Sequence, residues 1–144
     1  MSADGVSRWQ RVKAPSLEEF AAMARAAFAD LPAQFRRRCG DVLIRIEDFP
    51  DDDVAREMKT ESAYELLGLF AGVGLSQDAA IADTGRMPNT VFLYRRAILD
   101  YWAEHDEELG AIVTHVLVHE IGHHFGLSDD DMEAIEAAAD EARA

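Results

Sequence analysis

Apolar positions along this chain of 144 residues fall into two spacings. Leu17, Phe20, Ala21, Ala24 and Phe28 recur every three or four residues, the period of one helix face. Ser16 stands before them and Glu19 three residues later, so a capping box opens this helix, which should end near Asp30, before Leu31-Pro32. Another helical turn, basic at its end, is expected over Gln34 to Arg38. After the Gly40-Asp41 turn the spacing changes to alternation. Val42, Ile44 and Ile46 share one face of a strand that stops at Asp48-Phe49-Pro50. Thr90 to Arg95, β-branched and aromatic, reads as a second strand. A short helix is expected over Ile98 to Glu107, with Leu99 and Trp102 on one side. The next helix should begin near Asp106 to Glu108, where acids suit a helix N-terminus. Leu109, Ile112, Val113, Val116, Leu117 and Ile121 form its buried stripe. Gly126 can take the left-handed conformation that ends it. A last helix then runs from about Asp130, where Asp130 with Glu133 can form a capping box, and turns Met132, Ile135 and Ala139 inward.

The remaining stretches are less regular. Residues 1–14 read as a loose leader from which Trp9 and Val12 could dock. Asp51-Asp52-Asp53 lacks the spacing of a calcium loop and reads as a solvated loop, with weak helical character over residues 54–63. Gly68, Gly72 and Gly74 interrupt an apolar run. Gln77 stands where a dinucleotide loop needs its third glycine, so that reading is rejected, and tight backbone approach or a turn is the expected use. Residues 76–89, punctuated by Gly85 and Pro88-Asn89, read as loop. The sum is one α+β or α/β domain over residues 15–144, with helices on a small mixed sheet.

Apolar residues make up 49% of the chain, enough for one sizeable core. The net charge of −14 argues against nucleic acid or an anionic membrane as a partner. One cysteine, Cys39, allows no internal disulfide. With no signal-like run at the N-terminus, a soluble cytoplasmic protein is expected.

The chemistry concentrates in His119-Glu120-Ile121-Gly122-His123-His124-Phe125-Gly126-Leu127-Ser128-Asp129. On a helix, His119 and His123 lie one turn apart on one face and can grip one Zn²⁺. Glu120 beside them can act as general base on a water, the arrangement of a metallopeptidase. The turn at Gly126 can bring Asp129 back as third ligand, leaving a position open for catalysis. Asp129 has a competing use as helix N-cap, and Glu133 or Glu136 are alternative third ligands. Eight helical residues span about 12 Å, so His115 and His123 cannot both bind one ion on an intact helix. His115 is therefore expected to support, pack or face solvent. His124 should pack or make a supporting hydrogen bond, His105 should face solvent, and Cys39 should be a small buried hydrophobe. A diiron site would need a second Glu-x-x-His and four long helices, and neither is present. A mononuclear iron site is a third reading, against which the adjacent Glu120 favours hydrolysis.

Several blocks together resemble the small zincin-like metallopeptidase family. They are Ser16 to Phe20, Leu31-Pro32 with Val42 to Asp48, Leu66 to Leu69, Thr90 to Arg95, and His119 to Asp129, spanning residues 16–132. The resemblance implies zinc at His119, His123 and Asp129, a catalytic Glu120, and a few-stranded sheet beside the active helix near the C-terminus. It also implies a sheet edge that pairs with an extended peptide or protein substrate. The family often carries an aromatic hydroxyl and a charged residue after its Leu-Gly-Leu block. Here Phe70 and Ala71 stand there, and Tyr94 and Tyr101 are the available substitutes. The runner-up is a metal-binding domain with a structural or partner-binding role and little or no peptidase activity.

Overall fold

Seven helices and three strands make up the described residues, 3–72 and 89–143, of this computed structural model. In chain order they are α1 (Ala3–Arg11), α2 (Leu17–Ala29), α3 (Ala33–Cys39), β1 (Val42–Glu47), α4 (Asp52–Glu57), β2 (Gly68–Ala71), β3 (Asn89–Tyr94), α5 (Arg95–Glu104), α6 (Leu109–His124) and α7 (Asp129–Arg143). The class is α+β. Among the described residues no helix is long and apolar enough to cross a membrane.

The sheet is mixed, in the order β1-β3-β2. β3 is central and parallel to β1, with Val42 opposite Asn89 and Glu47 opposite Tyr94. β2 runs antiparallel on the other side, with Gly68 opposite Leu93 and Ala71 opposite Thr90. Alternation in β1 behaves as expected: Val42, Ile44 and Ile46 are half-buried, and Leu43 and Arg45 are exposed. β2 is the strand that the sequence pattern does not announce. Four residues containing a glycine carry too little alternation to separate a strand from a turn.

α6 passes through the middle of the molecule and packs against α2, α5, α7, β2 and β3. Phe20, Ala24 and Ala27 of α2, Val91 and Leu93 of β3, Ile98 of α5 and Met132 and Ala139 of α7 share its core. Two glycines permit its closest approaches. A methyl group on Gly68 would lie 2.7 Å from Val116 Cγ1, 2.9 Å from the Phe92 carbonyl oxygen and 3.3 Å from Glu120 Cγ, so β2 rests directly on α6. A methyl group on Gly122 would lie 2.5 Å from Met132 Sδ, so α7 crosses α6 equally closely. The expected use of the Gly68 region for tight backbone approach is therefore what forms. Gly74, Gln77 and most of the 76–89 loop lie outside the described residues.

Ser16 caps α2 as expected: its hydroxyl accepts from the Glu19 amide at 3.1 Å, and the Glu19 carboxylate accepts from the Ser16 amide at 2.9 Å. Arg95 ties three segments together, donating to the Pro15 carbonyl at 2.7 Å and to Asp48 at 2.9 Å. Other expectations need correction. The loose leader of residues 1–14 contains helix α1, and Trp9 and Val12 do not dock, being 68% and 53% exposed. Asp51 to Asp53 form the start of α4, with the Asp51 carboxylate accepting from the Val54 amide at 2.8 Å. Acids at a helix N-terminus meet unpaired amides and the positive end of the helix dipole, which explains that run without a cation. α5 begins at Arg95, immediately after β3, rather than at Ile98.

Candidate active site

From Ile112 to His123 every residue of α6 is buried except His115, His119, Glu120 and His123. The helix is apolar nearly all round, and its one open line carries three imidazoles at successive turns. The His119 and His123 rings lie 5.5 Å apart between centroids and nearly perpendicular, at 87°. The His115 and His119 rings lie 3.9 Å apart, tilted by 36°. Packing on all other sides fixes the helix's rotation, and with it the direction of this line.

α7 walls the other side. His115, His119, Asp129, Glu133 and Glu136 line a cleft of about 580 Å³, which His123 does not line. All three carboxylates considered from sequence therefore reach the cleft. Glu136 comes nearest to the imidazoles: one oxygen lies 2.9 Å from His115 Nδ1 and the other 3.6 Å from His119 Nε2. Sequence reasoning identified Glu136 only as an alternative ligand and did not pair it with His115. The His115-His119 spacing was visible, but the partner arrives from another helix.

Asp129 is not the cap of α7. Ser128 is: its hydroxyl accepts from the Asp131 amide at 3.1 Å, and the Asp131 carboxylate accepts from the Ser128 amide at 3.4 Å. The expected Asp130 and Glu133 box is thus displaced two residues towards the N-terminus. Asp129 stands in the first turn beside the cleft, and its charge is felt at His119.

Burial pushes the Glu120 carboxyl up to about 7. At neutral pH it stands near half-protonation, where a carboxylate can both accept and return a proton. His119 is held below the usual imidazole range, first by burial and then by His115, with Glu136 opposing. That favours the neutral ring, the form that donates a lone pair to a metal. Two imidazoles with nearby carboxylates are a nitrogen and oxygen donor set that suits zinc.

The other singled-out residues fall into place. His124 turns off the open line and stacks on Phe70, with centroids 4.1 Å apart. His105 is exposed and stacks on Tyr101 at 3.8 Å. Cys39 is buried and donates to the Phe35 carbonyl at 3.1 Å; burial pushes its thiol up to about 11, which makes it a poor nucleophile. Tyr94 is 1% exposed. Burial and the charges of Glu47, Asp51 and Glu120 keep its hydroxyl protonated. Tyr101 is half-buried and lines a smaller pocket with His115, Leu67 and Val116.

No curated protein matches the chain. A family model described as zincin-like metallopeptidase matches residues 39–139, from the end of α3 into α7, and so takes in the sheet, the open line of α6 and the cleft. With well over half of its length matched, the chain belongs to the zincin-like metallopeptidase family.

Proposed function

We propose that this protein is a zinc-dependent peptidase that hydrolyses bonds in a peptide or protein substrate. His119, His123 and Asp129 hold the ion, and Glu120 is the general base. The observation that carries this reading is the open line of α6. In a helix otherwise given over to the core, the residues left uncovered are the imidazoles and the one glutamate that the chemistry needs. Ser128 caps α7, which leaves the Asp129 carboxylate for the ion, while Glu136 is engaged by His115.

Bound zinc supplies Lewis acidity, polarising the scissile carbonyl and easing deprotonation of water. The chain's own groups do the rest. Glu120 takes a proton from the attacking water and returns it to the leaving amine, a transfer its elevated pKa suits in both directions. Among the described residues β2 has one strand partner, β3, and Gly68 brings it against Glu120. An extended substrate pairing along β2 would lay its backbone beside the base, recognising main chain more than side chains. A cytoplasmic setting belongs to the proposal and is consistent with a chain whose one cysteine, Cys39, allows no internal disulfide.

The test is zinc content and peptide-library cleavage for wild type, His119→Ala and Asp129→Ala. One zinc per chain and cleavage in the wild type, both lost in His119→Ala and weakened in Asp129→Ala, is the expected result. Zinc and cleavage both unchanged in Asp129→Ala would move the third ligand to Glu133 or Glu136. Zinc without cleavage of any peptide would favour a non-enzymatic domain. That second reading draws on the presence of His115 and Glu136 in the same cleft, since four protein ligands make a closed, structural site.

A further inference from the structure

His115, His119 and Glu136 each offer one ligand atom, and these atoms all lie within 4.8 Å of one another. The carboxylate is shared between the rings, Oε1 towards His115 Nδ1 at 2.9 Å and Oε2 towards His119 Nε2 at 3.6 Å. A tetrahedral ion bonded at the lengths usual for zinc needs ligand atoms about 3.3 Å apart. The rings stand 2.9 and 3.6 Å from the two oxygens of the carboxylate, on either side of that value. The longer one exceeds a hydrogen bond, so Glu136 turns its second oxygen to His119 without bonding it. Both imidazoles project from consecutive turns of a helix clamped by the core. Glu136 is mostly buried, and its side chain is only 22% exposed.

We infer that His115, His119 and Glu136 form a second seat for a borderline divalent transition-metal ion such as Zn²⁺, upstream of the seat built on His119, His123 and Asp129. The seats are displaced along α6 by one turn, about 6 Å. His119 belongs to both. A neutral imidazole has one lone pair to give, so His119 serves one ion at a time and the two seats exclude each other. Metal seated upstream is metal withdrawn from the His119 and His123 pair. This competition rests on the zinc-peptidase reading; the upstream seat itself does not. The ligand class follows from the donors: two imidazoles and one carboxylate suit Zn²⁺, Co²⁺ or Ni²⁺ and give Mg²⁺ or Ca²⁺ too few oxygens.

The experiment is calorimetric titration with Co²⁺ and Zn²⁺, with Co²⁺ absorption spectra, on the full chain as wild type, His123→Ala and His115→Ala/His123→Ala. Circular dichroism checks that each variant is folded. A conservative version, His123→Ala with Glu136→Gln, keeps the shape of the cleft. The expected result is that His123→Ala still binds one ion per chain with a tetrahedral Co²⁺ spectrum. Adding His115→Ala or Glu136→Gln then lowers its affinity by more than about 100-fold, beyond what loss of an outer partner costs. If His123→Ala binds no better than the double variants, the upstream seat is overturned. Peptide cleavage by the wild type separates the two ideas. Cleavage without an ion in His123→Ala removes only the upstream seat. An ion in His123→Ala with no cleavage by the wild type removes only the peptidase reading.

Discussion

Glu120→Gln is expected to lower peptide hydrolysis by about 10²–10⁴-fold, the usual contribution of a positioned general base, while zinc content stays at the wild-type level. The amide keeps the size of the side chain and its place against Gly68, and it removes only the capacity to accept a proton. A second effect follows from burial. The Glu120 pKa stands at about 7 in the fold against a reference of 4.5. The folded state thus prefers the neutral acid and holds more protons than the unfolded chain between those values. Stability of the metal-free protein therefore falls as pH rises from 4.5 to about 7, and the loss is complete above that. Glu120→Gln removes the loss. After discounting for partial solvent access, the variant should gain about 1–2 kcal/mol over wild type at pH 8, and nothing at pH 4. Chelated protein melted at both pH values reads this directly, as a Tm rise of roughly 2–8 °C at the higher pH only. Retained hydrolysis would sink the role of Glu120, and an equal Tm at both pH values would sink the account of its burial.

Gly68→Ala is expected to cost about 3 kcal/mol, the upper part of the range for overpacking a filled interior. The added methyl would meet Val116 Cγ1 at 2.7 Å and the Phe92 carbonyl oxygen at 2.9 Å. The first is a branched side chain on the clamped helix, and the second is backbone of the central strand. Neither can step aside without moving β2 away from α6. Glu120 Cγ is the third neighbour, so the displacement reaches the base and hydrolysis should fall together with stability. Urea unfolding gives the first quantity and cleavage assays the second. A loss below about 1 kcal/mol would mean that β2 shifts freely and does not hold the site.

What could be read from the residues was whatever repeats locally. The capping box of Ser16 and Glu19, the alternation of Val42, Ile44 and Ile46, and the apolar run of α6 each carry their period within one element. So does the spacing of His119 and His123. β2 could not be read, because its four residues are held by register with β3 and by contact with α6, not by a pattern of their own. The cap of α7 was misplaced because Ser128, Asp129 and Asp130 all have capping side chains, and only geometry selects Ser128. The nearness of Glu136 to His115 and His119 was beyond reach for a different reason. It depends on how α7 crosses α6, and that crossing is set where Gly122 admits Met132. A contact made by packing two helices leaves no mark in the spacing of either.

The enclosure of α6 has one more consequence. A helix covered by five neighbouring elements cannot loosen alone. Its amides from Ile112 to Gly122 should exchange with solvent only when the whole domain opens, as the slowest-exchanging set in the molecule. His119 and Glu120 thus sit on the stretch expected to fluctuate least. Release of an ion need not melt its support, so an emptied site would stay in shape and be ready to reload.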